Sequence, residues 1–379
     1  MSAAFTSDRT SGIPLQAPTL PGGYGCWDLG APAHAFADFL ARAGQRRWQV
    51  LPVGPAGFGY SPCSAKSAFA GSPFLINLDA LEIRIEPARF AKDACDFERA
   101  RIVRERHLHA TYANRGASDR RKQARFVVPP DYFSKTGQRW GNPLYKWARV
   151  AKASLQWWLD RFRGALENFD AVRLNHFIGF VRFSEVPASD PTAVNGQWKK
   201  GRGRALFDAV RKTPGDLPLV PEDLGAVVPA VSALRDELGV PGMRLLQCAI
   251  GDDDQAETFL PYKYPHRTVA YTLTLDTDTI VDWFERSATA AERKWALAYV
   301  WTDNGADLHW KVTRSVSASV ATTAIFPLQD VLGLGSDARM NTPATIGGSN
   351  WHGRIRGRAR TKTMARRLRE LTRTYGRIQ

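Results

Sequence analysis

Residues 171–177 read AVRLNHF, 217–225 LPLVPEDLG, 243–250 MRLLQCAI and 268–276 TVAYTLTLD. Each is a short apolar run ending in polar or charged residues, too short for a helix of its own, and each reads as a buried strand. Helical spacing lies between and beyond them, at 157–166, 203–213, 229–238 and 289–300, and TTAIFPLQDVLG at 322–333 supplies one more strand and loop. Short apolar strands alternating with helices specify an α/β protein with a parallel sheet. Five such strands with polar ends fit a (β/α) barrel, in which the strand C-termini build the site. An open doubly wound sheet is the competing architecture, but no G-x-G-x-x-G follows the first strand.

Upstream, apolar residues recur at helical spacing from residue 33 to 43, and Gly44 is a plausible stop. WQVLPVGP at 48–55 reads as a buried strand running into a loop, and FLINLDAL at 74–81 as another strand or a strand-to-helix transition. Residues 1–25, rich in Pro, Gly and Ser, read as an extended lead-in, and 84–125 as a polar, basic stretch with weak helical character.

The chain has 379 residues and a formal charge of +15. Its apolar fraction of 44% excludes a disordered chain. No apolar run is long enough to span a membrane, and the N-terminal residues show neither a basic nor an apolar signal region. The charge is localised: residues 99–125 carry +7 and 354–379 carry +9, which leaves the rest nearly neutral. Met364, Leu368, Leu371 and Tyr375 fall at amphipathic spacing, so the basic tail reads as a packed helix with a solvated face. No nucleic-acid-binding motif stands beside either segment, and nucleic acid is not the expected partner. Cys26, Cys63, Cys95 and Cys248 are widely spaced with no metal-ligand pattern, which points to free thiols in a reducing cytoplasm.

Three strand ends present chemistry: Arg173, Asn175 and His176; Glu222 and Asp223; Asp276 and Asp278. Carboxylates on separate strand ends suit glycoside chemistry, where one acid protonates the leaving oxygen and a second carboxylate attacks the anomeric carbon. The structural alternative is that these acids cap turns and pair in loops. Aromatic side chains near the same loops, Tyr60, Tyr132, Phe133, Trp140, Tyr145 and Trp198, offer faces on which sugar rings stack.

WQVLPVGPAGFGYSPCSAKSAFAGSPFLINLDAL (48–81), VVPPDYFSKTGQRWGNPLY (127–145), FDAVRLNHFIGF (169–180), PLVPEDLG (218–225), PGMRLLQCAI (241–250) and FPLQDVLGLGSDARMNTPATIGGSNW (326–351) follow in order. Together they strongly resemble the 4-α-glucanotransferases called amylomaltases or disproportionating enzymes, glycoside hydrolase family 77. The resemblance implies a modified (β/α)8 TIM-type barrel acting on α-1,4-glucans such as maltodextrin, with no metal and no organic cofactor. It implies that Glu222 is the acid/base, that Asp276 orients the substrate, and that Arg173, His176, Trp140, Tyr60, Asn341 and Pro343 line the glucan cleft. Asp330 is expected to cap a turn.

The chain departs from the family pattern in three places. The family's nucleophile lies in R-I-D-H-F, and here the matching position is Asn175. An amide is a poor nucleophile and cannot give the ester intermediate. The family's T-H-D-N-D-T reads Thr274-Leu275-Asp276-Thr277-Asp278-Thr279, so a hydrogen-bond donor has become Leu275. A stretch that holds one barrel strand in relatives is missing between the basic segment and residue 127, so the barrel is expected to be incomplete. Four segments follow: an N-terminal part of the barrel at 1–98, a basic linker at 99–126, the remainder of the barrel with the site at 127–351, and a basic C-terminal helix at 352–379. Together these readings anticipate a 4-α-glucanotransferase with lost or weak activity, or a catalytically inactive glucan-binding or regulatory paralogue.

Overall fold

The computed structural model describes residues 8–20, 24–26, 28–81, 94–109, 124–128, 135–144, 155–211, 218–225, 228–251, 254–343, 345, 347–355 and 361–378. The described residues fall into two compact units. The smaller draws on Gly116–Met243 and Pro343–Thr345, and the larger on Ser7–Arg115, Arg244–Thr342 and Ile346–Gln379.

The larger unit is built on a five-stranded sheet. Its strands are β1 (Thr10–Pro14), β2 (Arg47–Gln49), β9 (Gly242–Leu245), β10 (Thr268–Tyr271) and β11 (Thr323–Ile325), in the order β2-β1-β11-β10-β9. β1 runs parallel to both its neighbours, with Gly12 opposite Ile325 and Arg47. The lead-in expected at 1–25 is therefore in part an internal strand, buried at all five positions. Its sequence, TSGIP, holds too little apolar character to show this. Gly12 is required there, because a Cβ would fall 2.4 Å from the Arg47 carbonyl oxygen. The strand expected at 74–81 is also corrected, since that stretch forms two 3₁₀ turns, Pro73–Leu75 and Asp79–Leu81.

Helices α1 (Ala31–Arg42), α2 (Phe97–His109), α6 (Ala290–Tyr299), α7 (Leu308–Ala318) and α8 (Lys362–Thr374) belong to the same unit. α1 buries Ala33, Phe36, Phe39 and Leu40, the stripe that its periodicity dictates. α6 starts with a reciprocal capping box between Thr289 and Glu292. α8 buries Ala365, Leu368 and Thr372 and packs on α1 and α7.

The smaller unit contains β5 (Val172–Leu174) and β8 (Leu219–Pro221), parallel with Val172 opposite Leu219. Helices α3 (Gln156–Asn168), α4 (Gly203–Arg211) and α5 (Pro229–Leu238) go with them. Trp158, Phe162, Phe177, Leu206, Phe207 and Val231 form the core. A sheet that periodicity did not reveal, β4-β3-β6-β7, is made of β3 (Ala124–Val128), β4 (Gln138–Pro143), β6 (Arg182–Pro187) and β7 (Gln197–Lys200). Its pairs β3–β4, β3–β6 and β6–β7 are antiparallel. The α/β class with a parallel sheet holds. The described ladders number five, four and two strands, and no ring of eight is drawn among the described residues.

Candidate active site

In the smaller unit, the register of β5 against β8 brings the residues after the two strands together. The Glu222 N–H donates to the Leu174 carbonyl at 2.9 Å, and the Phe177 N–H donates to the Glu222 carbonyl at 3.1 Å. Arg173 projects from β5, and its Nη2 lies 2.9 Å from Glu222 Oε1. The same Nη2 donates to Asn175 Oδ1 at 3.1 Å. The other carboxylate oxygen, Oε2, accepts the His176 backbone N–H at 2.8 Å. His176 has φ +52°, a left-handed conformation that costs energy in a non-glycine residue and persists only where the surroundings enforce it. Glu222 is thus gripped at both oxygens by charge-assisted bonds while about four-fifths buried. Asn175 is exposed, and its amide shares the guanidinium with Glu222. Asp223, read alongside Glu222 from sequence, has a different position. It is buried, ion-paired to Arg235, and accepts the Met243 N–H at 2.7 Å, so it ties α5 to residue 243 within the smaller unit.

In the larger unit, Asp276 sits in a turn beyond β10, which Thr277 closes through its hydroxyl on the Thr274 carbonyl at 3.0 Å. Asp276 Oδ1 accepts from Asn341 Nδ2 at 2.7 Å. Arg339 Nη2 donates to the Asp276 carbonyl at 2.6 Å, and its Nε to the Asn341 carbonyl at 2.8 Å. Asp278 accepts from Ser336 Oγ at 2.6 Å and from the Thr279 N–H at 2.8 Å. Asp276 and Asn341, read separately from the sequence, are hydrogen-bonded to each other. Arg339, which braces both loops, was not singled out by sequence, where one more arginine in a basic chain carries no signal. Pro343 lies two residues beyond Asn341, partly buried. A small depression is lined by Leu273, Leu275, Asp278, Asp330, Arg339 and Met340.

Leu275 packs with Tyr60 against an apolar cluster of Cys26, Cys95, Phe97, Met340 and Trp351. Tyr60 stacks on Phe97 at 4.7 Å and 12°, so one face of its ring is covered. Its hydroxyl bonds to Glu98, and burial together with that carboxylate pushes its pKa up to about 12. Asp330 is buried and accepts the Ile280 N–H at 2.9 Å and Thr272 Oγ1 at 3.3 Å, which is a turn-capping position. Burial pushes its pKa up to about 7. Trp198 on β7 is half exposed, with the Arg182 guanidinium 4.3 Å above its ring. Trp140 lies on β4, with its side chain outside the described residues, as are Tyr132, Phe133 and Tyr145. No group of three or more His, Cys, Asp or Glu able to hold a metal occurs among the described residues.

Parallel strands joined through helices, with carboxylates anchored just beyond strand ends in each unit, define an α/β protein. The chain belongs to glycoside hydrolase family 77, 4-alpha-glucanotransferase, whose model matches residues 15–128 and 121–360. It is 32% identical to the 4-alpha-glucanotransferase of Synechocystis over 97% of this chain and 98% of that one. It is 33% identical to that of Thermus thermophilus over 92% and 95%. Among solved structures, the amylomaltase from Streptococcus agalactiae, in complex with acarbose, superposes with a TM-score of 0.87 at 24% identity, covering 98% of this chain and all of that one. That likeness fixes the fold.

Proposed function

We propose that this chain is a glucan-binding 4-alpha-glucanotransferase whose transfer of α-1,4-glucan segments between maltodextrins is lost or greatly weakened. The observation that carries the reading is Asn175, an amide on the same guanidinium as Glu222. In a retaining double displacement the group at that place attacks C1 and becomes an ester. The amide lacks the charge and cannot form it. Glu222 is the acid/base, anchored by Arg173 and the His176 N–H, and Asp276 with Asn341 orients sugar hydroxyls. Arg173, His176, Trp140, Tyr60 and Pro343 are the further glucan-contacting residues of this reading. Leu275 withdraws one donor from the site.

Two further observations support the reading of a shortened chain. The Synechocystis alignment runs over 498 positions although this chain has 379 residues. The family model matches in two pieces that overlap at residues 121–128, in keeping with a stretch absent near this point. Four cysteines outside any disulfide are in keeping with a reducing cytoplasm. No helix among the described residues is long and apolar enough to cross a membrane.

Glucose release from maltotriose, set beside titration calorimetry with the same sugar, tests the proposal. Saturable binding with release at the no-enzyme rate is the expected result. Turnover at rates typical of the family would overturn it.

A further inference from the structure

We propose that the Arg173–Asn175–Glu222 cluster carries a second activity, a single inverting transfer from a β-configured glucosyl donor to the 4-hydroxyl of a glucan. The inference rests on the glucan reading above and extends it to a different donor.

The geometry supplies the argument. Asn175 Oδ1 and Glu222 Oε1 lie 3.1 and 2.9 Å from one nitrogen, Arg173 Nη2, which holds them within about 6 Å of each other. That upper bound includes the separation of roughly 5–5.5 Å that retaining enzymes use. A retaining enzyme reaches its product from an intermediate whose C1 carries a β-linked leaving group, the nucleophile itself. The remaining group acts as base on the acceptor in that step. This chain cannot make the intermediate, but the parts that consume it are in place. Glu222 is anchored at both oxygens by Arg173 and the His176 N–H. Asn175 is exposed, uncharged, and offers N–H donors where a carboxylate would repel an anion. Arg173, beside it, adds positive charge.

The step balances as follows. The acceptor O4 attacks C1, and the bond from C1 to the β leaving group breaks, with its electron pair departing on the leaving anion. The acceptor proton passes to Glu222 and from there to water. The product carries a new α-1,4 bond, and the donor carbon is inverted from β to α. The product accumulates, because cleaving it again requires the nucleophile that Asn175 replaces. The donor class is a glucosyl or maltosyl group with an anionic leaving group on the β face of C1, and β-maltosyl fluoride is the probe.

The test incubates the purified chain with β-maltosyl fluoride and maltotriose, following fluoride with an ion-selective electrode and products by mass spectrometry. The expected result is fluoride release matched by a maltotriose lengthened by two glucose units. That rate falls about a hundredfold or more in Glu222→Gln, the scale of a lost general base, while α-maltosyl fluoride gives no such product. Glu222→Ala and thermal melts of both variants guard against misfolding. Fluoride release equal to the Glu222→Gln rate, with maltotriose still binding in calorimetry, overturns the second activity alone. Absence of maltotriose binding overturns the glucan reading along with it.

Discussion

At residue 175 a single atom separates the amide of Asn from the carboxylate that a double displacement needs. The surrounding anchors on Glu222 belong to neighbouring residues and do not depend on it. Asn175→Asp is expected to raise glucose release from maltotriose at least about a hundredfold, within the ~10⁴-fold scale on which single members of a catalytic set act. Unchanged release would count against Asn175 as the cause of the proposed loss of activity. Asp330 makes a second prediction. Burial raises it from an ordinary 3.8 to about 7, so between those values the folded chain holds a proton that the unfolded chain has released. Its contribution to stability is present below about pH 4 and is lost as pH rises toward 7. Asp330→Asn removes that slope, which denaturant unfolding at a series of pH values measures. The thiols give a third. Cys26 and Cys95 are buried and pushed up to about 12, chiefly by burial, whereas Cys63 and Cys248 are exposed. A thiol reagent at pH 8 should titrate two cysteines rapidly and all four only after unfolding.

At the scale of elements, α8 shows how a basic segment can belong to the interior. Leu368 is fully buried on its inner face. Just past the helix, Arg377 is buried as well and donates to the carbonyls of Ser317, Thr10, Ala321 and Ser319 at 2.8–3.1 Å. It thereby ties the C-terminal end of α7 to the first residue of β1, and burial lowers its pKa to about 9. Arg377→Met leaves those buried carbonyls without their donor and should cost about 3 kcal/mol or more, read from a denaturant melt. Leu368→Ala should cost about 2–5 kcal/mol through the cavity it leaves. The amphipathic spacing of this helix was legible in the sequence. The capping role of Arg377 was not, because nothing local distinguishes an arginine that reaches carbonyls of distant segments from one in water.

For the whole molecule, the charge of +15 does not mark a polyanion partner by itself. Several arginines of the two basic segments act as struts. Arg104 pairs with Asp28, Arg101 with Glu98 and Glu105, and Arg367 pairs with Asp307 while lying over Trp310. The proposed glucan binding, in contrast, can be tested on the whole folded chain. Maltotriose at a hundred times its dissociation constant should add about 2.7 kcal/mol to stability and raise the melting midpoint in a saturable way. A midpoint that ignores maltotriose would count against the glucan reading.

By itself the sequence determined the α/β class, the family, and the identity of the residues at the two strand ends. Those rest on local periodicity and on ordered blocks such as PLVPEDLG and RLNHF, and neither needs contact information. Tertiary structure decided the rest. TSGIP is an internal strand because its neighbours β2 and β11 bury it, not because of its own apolar content. Asp223 is a brace and Glu222 the part-buried candidate because the pairing of β5 with β8 puts Arg173 and the His176 N–H on one carboxylate, while Arg235 and the Met243 N–H hold the other. Adjacent acids in a chain are alike until the fold assigns each its partners, and those partners come from residues far along the sequence.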